Sequence, residues 1–133
     1  MTTSTQFQID PSIDPADFNV ITGAFKSVAQ EMQDIMLRSA YSSIVREAKD
    51  CSTCVMDASA RTVAQAEAIP MHMNSLAAAV PAIRARYDLN DLRPNDAFIT
   101  NNPYDNGQHL NDIIFILPVF HNDRLVAFTG PSP

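Results

Sequence analysis

An apolar stripe between Pro15 and Ala40 is the feature that most constrains how this sequence can fold. Apolar residues recur there at steps of three and four, which is the spacing of one helix face: Phe18, Ile21, Phe25, Val28, Met32 and Ile35. Pro15 suits a first helical turn, and Asp14 or Asp17 can cap its free N–H groups. The pattern predicts a helix over about residues 15–40. Four stripe residues are expected to be buried on one face, namely Phe18, Phe25, Val28 and Met32.

The rest of the chain reads as short strands, turns and one further helix. The β-prone runs 51–57 and 62–66 flank the turn-like stretch "DASAR" and predict a hairpin. "SLAAAVPAIRARY" predicts a second helix, in which Pro81 starts a new segment or produces a kink. Further strands are predicted at 96–101, 112–120 and 124–129. A hairpin turn centred on Asn122 and Asp123 is expected to join the last two.

This order of elements predicts an α+β fold: an N-terminal amphipathic helix, a β-hairpin, a second helix, then antiparallel or mixed strands. Residues 1–12 are expected to be a flexible N-terminus, and residues 13–133 one incomplete domain. The sequence ends in "GPSP" directly after an apolar strand. That strand is therefore expected to lack a closing element.

Composition and charge exclude several classes of function. The formal net charge is -6, which argues against a nucleic-acid binder because such proteins need a basic face. No apolar run approaches the ~20 residues of a membrane span. The N-terminal stretch "MTTSTQFQIDPSID" has no basic region followed by an apolar one, so it does not predict a secretory signal. We expect a cytoplasmic protein that binds neither nucleic acid nor membrane.

The two cysteines, Cys51 and Cys54, form a single C-x-x-C motif with three interpretations. It could be half of a zinc site, a redox pair, or two small strand residues. A structural zinc site needs two more Cys or His ligands at suitable spacing, and a redox motif should open a helix. The β-prone sequence around the motif favours two half-buried strand residues.

The stretch "NNPYDNGQHLNDIIFILPVF" places a polar loop directly before an apolar strand. His109 and Asp112 stand at that junction, and an imidazole with a carboxylate suits Zn, Mn or Fe. Two ligands do not make a site, and candidates for a third are Asp50 and His72. His121 lies at the far end of the strand, roughly 25–30 Å away at ~3.3 Å per residue. The alternative is that Asp112 caps the loop through backbone N–H groups and His109 is a polar rim residue.

Two long stretches of the chain resemble the N-terminal region of the hydantoinase B/oxoprolinase family. They run from "VAQEM" through "VAQAE" and "IPMHM", and from "LRPND" through "NPYDNGQHLND". The resemblance covers about residues 13–130. The family includes the B components of ATP-dependent N-methylhydantoinase, the C-terminal half of 5-oxoprolinase, and large subunits of acetone and acetophenone carboxylases.

The resemblance implies a metal site. His109 and Asp112 match the family's H-x-x-D, and Asp50 matches an acidic residue at the same site. The metal implied is zinc or manganese. Asn102, Pro103 and Tyr104 match the loop that shapes the pocket; these three are not metal ligands, and no catalytic residue is assigned.

The function implied is ATP-linked opening of a cyclic amide such as a hydantoin or 5-oxoproline. ATP would act only through a partner, an A-type (hydantoinase A/oxoprolinase) subunit, in a hetero-oligomer. Alternatives are a fragment of an acetone- or acetophenone-type carboxylase subunit, or a non-catalytic truncated remnant. Family members are several times longer and supply a further histidine ligand after the region matched here. The chain is therefore expected to be an N-terminal fragment, inactive alone.

Overall fold

A computed structural model describes residues 12–66, 75–105 and 109–132 of the 133-residue chain. Helix α1 spans Pro15–Ser39, the short α2 spans Ser43–Arg46, and α3 spans Ser75–Arg86. The strands are β1 (Ser52–Asp57), β2 (Thr62–Gln65), β3 (Phe98–Thr100), β4 (Ile114–His121) and β5 (Arg124–Ser132). The α+β class is confirmed, as are the first helix, the first hairpin and the later strands. The predicted flexibility of residues 1–12 falls almost entirely outside the described residues.

The five strands form one sheet in the order β2-β1-β5-β4-β3. All four pairings are antiparallel, so the mixed alternative is wrong. The expectation that the last strand lacks a closing element is also wrong. Strand β5 lies at the centre of the sheet, paired with β1 on one side and β4 on the other. Strand β5 is therefore an interior strand of the sheet and not an unpaired edge.

Helix α1 begins where the sequence predicts but packs through a different face. Asp14 accepts a hydrogen bond from the Ala16 N–H at 2.7 Å and caps the first turn. The residues buried against the sheet are Ala29 and Gln33. Of the four predicted to be buried, Phe25 and Met32 are half-buried. The prediction of burial is wrong for the other two, because Phe18 is 40% exposed and Val28 is 47% exposed.

The main core lies between α3 and the opposite face of the sheet. Its fully buried large side chains include Leu76 and Val80 of α3 and Phe128 of the central strand. Helix α3 continues through Pro81, so the new segment expected there does not form. Packing of the apolar side of α3 against the strands offsets the one hydrogen bond that proline removes.

The side chains of β4 alternate between the two faces of the sheet, so neighbouring residues lie in different environments. Ile114 and Ile116 are buried in the core, whereas Phe115 and Leu117 point to the other face and are partly exposed. The hairpin between β4 and β5 turns at Asn122 and Asp123, both with positive φ, as predicted. No helix in the described ranges is both long and apolar enough to span a bilayer.

Candidate metal site

His109 and Asp112 lie in a tight turn directly before β4. The Asp112 carboxylate accepts the His109 backbone N–H at 3.0 Å, and the Asp112 N–H donates to the His109 carbonyl at 3.1 Å. The imidazole Nδ1 lies 3.4 Å from the same carboxylate oxygen. Asp112 therefore caps this turn, as the alternative interpretation predicted. The same contact orients the His109 ring and leaves Nε2 as its outward nitrogen.

The turn is tied to the preceding strand across the short segment 106–108, which lies outside the described residues. The Asn101 side-chain amide donates to the Leu110 carbonyl at 3.2 Å. Since Asn101 directly follows β3 and Asp112 comes shortly before β4, this hydrogen bond joins the ends of two paired strands. The position of His109 is therefore restrained by the pairing of β3 with β4.

Asp50 reaches the same region from the other direction. It follows α2 and lies two residues before the start of β1, with its N–H donating to the Ile44 carbonyl at 3.3 Å. Lys49 has a φ of 55°, and this left-handed residue turns the chain from α2 into β1. The sequence between the first helix and the hairpin was too mixed to predict α2. For this reason sequence reasoning also missed the residues of α2 that border the site.

One cleft, of about 390 Å³, brings the two parts together. It is bordered by Asp50, His109 and Asp112, with Ser42, Ile44, Val45 and Asn111 completing its wall. His109 is mostly exposed at the rim, with 70% of its side chain accessible, whereas 15% of the Asp112 side chain is accessible. Two carboxylates and an imidazole beside an open space favour a cation.

The donor chemistry of this cleft fits zinc or manganese, but its residues do not converge on one point. Within residues 12–66, 75–105 and 109–132, no three His, Cys, Asp or Glu side chains stand close enough to hold an ion. His72, the other candidate ligand, lies outside the described residues. The ligand set Asp50, His109 and Asp112 stays a prediction. His121 is exposed at the opposite end of β4, beside the hairpin turn, as expected.

The segment Asn102–Tyr104 does not border the cleft in the described part of the chain. The Asn102 side chain accepts the Tyr104 N–H at 3.1 Å and closes a short 3₁₀ turn. Tyr104 itself is 95% exposed. The role in shaping a pocket that the resemblance implies for this loop stays a prediction.

The cysteine pair is structural. Cys51 and Cys54 are free thiols and both are buried, more deeply than the half-buried state predicted. Burial raises the pKa of Cys54 to about 12. Burial also raises the pKa of Cys51, with a further contribution from the charge of Asp50. A thiol kept protonated in this way is a poor nucleophile and a poor metal ligand.

A comparison with models of protein families identifies the family of this chain. The model of the family described as hydantoinase B/oxoprolinase matches residues 14–131. The chain belongs to the hydantoinase B/oxoprolinase family. This confirms the resemblance that the motifs around "VAQAE" and "NPYDNGQHLND" indicated.

Curated relatives of this family member are much longer than the chain. An uncharacterized protein of Methanocaldococcus jannaschii is 31% identical over 120 residues, which cover 89% of this chain and 21% of that protein. A 5-oxoprolinase of Pestalotiopsis fici is 32% identical over 89% of this chain and 9% of its own length. A Pseudomonas protein named as the B-type subunit of a D-/L-hydantoinase is 31% identical over 88% of this chain and 20% of its own length. The chain thus spans about a fifth or less of these relatives.

Two solved structures share the fold. An acetone carboxylase chain superposes with a TM-score of 0.82 at 20% identity, over 90% of this chain and 16% of that chain. An ATP-dependent caprolactamase of Pseudomonas jessenii gives a TM-score of 0.76 at 24% identity, over 91% of this chain and 21% of that chain. At these identities the likeness establishes the arrangement of helices and strands only.

Proposed function

We propose that this chain provides part of the metal site of an ATP-linked cyclic-amide hydrolase, in a polypeptide that acts on a hydantoin or on 5-oxoproline. The observation that carries the proposal is that Asp50, His109 and Asp112 border one cleft. They do so in a chain that matches the hydantoinase B/oxoprolinase family over residues 14–131. Relatives named as a 5-oxoprolinase and as the B-type component of a hydantoinase support the substrate class.

Each of the three residues has a distinct part in this proposal. His109 would offer Nε2 to the metal, because its Nδ1 faces the Asp112 carboxylate. Asp50 would bring a carboxylate from the opposite wall of the cleft. Asp112 would hold the ring of His109 in place and add a carboxylate oxygen. Zinc or manganese bound there would supply Lewis-acid chemistry or activate water.

ATP would enter the reaction through a partner subunit. The sequence contains neither a G-x-x-x-x-G-K-[ST] loop nor a G-x-G-x-x-G loop, the usual cradles for a nucleotide phosphate. The Pseudomonas relative carries the name of one hydantoinase subunit among others, which supports an assembly with another kind of chain. We propose that this partner is an A-type subunit, which would phosphorylate the cyclic amide before it reaches this cleft.

Two alternatives stay as predictions. The structural likeness to acetone carboxylase at 20% identity concerns the fold alone, so it does not favour carboxylation over ring opening. The other alternative is a non-catalytic remnant, which an unpaired last strand would favour. Strand β5 is paired on both sides, so it gives no support to that alternative.

The metal assignment can be tested on the 133-residue chain with Mn²⁺ as a paramagnetic probe. The chain alone is expected to bind zinc or manganese weakly or not at all, because three ligands from one polypeptide are the usual minimum for a catalytic metal and these three do not converge. Paramagnetic broadening of amide signals localises even weak Mn²⁺ binding. We expect broadening around Asp50 and the 109–112 turn at millimolar Mn²⁺, and its loss in His109→Ala.

His121→Ala is the matched control, because it removes an exposed histidine from the other end of the same strand. It should leave the broadening unchanged. Broadening that survives His109→Ala, or that centres on other acidic surface residues, contradicts the site. Tight stoichiometric binding abolished by His109→Ala would confirm the ligand but overturn the expectation that the site is incomplete in this chain. No ATP-dependent ring opening is expected from the chain alone.

A further inference from the structure

Helix α1 covers one half of a sheet face, whereas the described residues leave the other half, here called the bare half, partly exposed. The covered half includes Thr53 of β1, whose hydroxyl donates to the Ala29 carbonyl at 2.7 Å. Ala29 packs there with residues of β1, β2 and the segment after β2: Val55, Ala64 and Ala66. The bare half carries apolar side chains on β3 and β4 with these exposed fractions: Ile99 64%, Phe115 37%, Leu117 37% and Val119 38%.

Strand register places both halves on the same face of the sheet. Val55 of β1 pairs with Thr129 of β5, and Thr129 pairs with Leu117 of β4. Phe115 in turn pairs with Ile99 of β3. Directly paired residues project to the same side of an antiparallel sheet. The apolar side chains of β3 and β4 therefore lie on the same sheet face that α1 covers in part.

The flank of α1 that borders the bare half is also apolar. Met32 contacts Thr129 of β5 at 3.2 Å, so the side of α1 that carries Met32 is turned toward β5 and the strands beyond. At 100° per residue, Ile21, Val28 and Ile35 lie within about 60° of Met32 around the helix. Each of the three is about half exposed: 53%, 47% and 53%. Their spacing of seven residues is typical of a helix–helix seam.

The bare half of the face is the floor, and this flank of α1 the side, of a surface that we call the apolar slot: Ile21, Val28, Ile35, Ile99, Phe115, Leu117 and Val119. Two strands spaced ~4.8 Å apart give a floor about 10 Å wide. A helix with its side chains is about 10–12 Å across. The slot therefore has room for one helix beside α1.

Helix α1 of a second copy fits the slot poorly. The underside of α1 in that copy is already covered by its own sheet. Its outer side, which would meet the slot floor, carries Glu31, Asp34 and Arg38, all exposed. Setting charged groups against an apolar floor is unfavourable. The occupant must instead be apolar along its contact stripe.

We propose that the apolar slot is the docking site for an amphipathic α-helix supplied by the part of the family polypeptide that lies outside these 133 residues. The chain covers 21% of the Methanocaldococcus relative and 20% of the Pseudomonas relative, so most of each lies outside the matched region. This inference rests on the fold and on family membership and is independent of the metal proposal.

Cysteine accessibility tests the proposal, because the native Cys51 and Cys54 are buried and give little background labelling. Single cysteines are introduced as Val28→Cys and Leu117→Cys in the slot. Val20→Cys, on the outer side of the same helix, is the control at a site that is 71% exposed. Maleimide labelling rates are compared in the 133-residue chain and in a long polypeptide. In the latter, residues 14–131 replace the matching region of the Methanocaldococcus relative.

Both slot cysteines should label at least about tenfold more slowly in the long polypeptide, because a side chain under a docked helix reacts only when the structure opens. The Val20→Cys control should label equally fast in both. Equal rates at the slot positions overturn the proposal. Should the graft fail to fold, the three substitutions are made at the matching positions of the relative itself, and rapid labelling there overturns it too. Protection already present in the 133-residue chain and lost on dilution would identify a second copy as the occupant, which also overturns it.

Discussion

The two glycines of the described chain should respond in opposite directions to the same substitution. Gly130 lies in the central strand β5 beside β4. A Cβ added there would meet the backbone carbonyl oxygen of Phe115 far inside van der Waals contact, and would lie 2.9 Å from the Ile116 Cδ1 atom. The side-chain atom can move aside, but the carbonyl belongs to the neighbouring strand. Gly130→Ala therefore forces the two strands apart.

The cost of Gly130→Ala follows from this geometry. Overpacking typically costs about 1–3 kcal/mol, and a backbone clash belongs at the upper end of that range. The lost freedom of the unfolded chain returns about 0.4–1 kcal/mol. The free energy of unfolding should then fall by about 2 kcal/mol. With an m-value of ~1.5 kcal/mol/M, the urea midpoint falls by about 1.3 M.

Gly23→Ala is the matched control. Gly23 lies inside α1, and an added Cβ there would meet no atom within 4 Å beyond its chain neighbours and the nearby backbone of its own helix. Alanine is more favourable than glycine in a helix interior by roughly 0.5–1 kcal/mol, so this variant should be more stable than the wild type. Urea unfolding followed by circular dichroism measures both variants. A Gly130→Ala midpoint at or above the wild-type value would refute the close approach of β4 and β5.

Three further predictions concern single side chains. Thr53→Val removes the buried hydrogen bond to Ala29 and should lower the free energy of unfolding by about 1 kcal/mol. Thr62→Val, at an exposed position of β2, is the control and should change it by less than about 0.5 kcal/mol. Equal effects in urea unfolding would contradict the hydrogen bond between β1 and α1. Burial raises the pKa of Asp57, but hydrogen bonds from Arg61 and Ser59 and the charge of Arg61 together outweigh it and lower the pKa overall. Its stabilisation is therefore present above the unfolded pKa of ~3.9 and lost as the pH falls through the folded value; Asp57→Asn should flatten the melting temperature between pH 6 and pH 3, and an unchanged slope would count against it. Cys54, with its pKa raised to about 12, should react with a disulfide reagent at pH 8 only when the chain unfolds, so fast labelling without urea would show that the thiol is accessible.

Local sequence signals predicted what local interactions determine. The start of α1 follows from Asp14 and Pro15, and the tight turn at Asn122 and Asp123 follows from residue types that tolerate positive φ. The face of α1 that packs was not predictable in this way. A helix with two adjacent apolar flanks can bury either, and the sheet selects the flank around Ala29 because a small residue allows close approach.

Long-range pairing explains the other wrong expectation. The position of β5 depends on pairing between Ser52 and Ser132, residues far apart in sequence, which no local pattern records. The candidate site also has one part that local sequence predicts and one part that depends on long-range pairing. His109 and Asp112 were predictable as neighbours because they share one turn. Asp50 reaches their cleft only through the order of strands in the sheet, and spacing alone could not have assigned it.

Strand β4 connects the core, the apolar slot and the candidate metal site. Its buried side chains, Ile114 and Ile116, belong to the core beneath α3. Its outward side chains, Phe115 and Leu117, form the floor of the apolar slot. Its first residue follows two positions after Asp112, which caps the turn that holds His109. A helix docked in the slot would thus restrain the strand from which the candidate metal site extends. If both proposals hold, the rest of the family polypeptide stabilises the position of His109 through β4 even where it contributes no ligand.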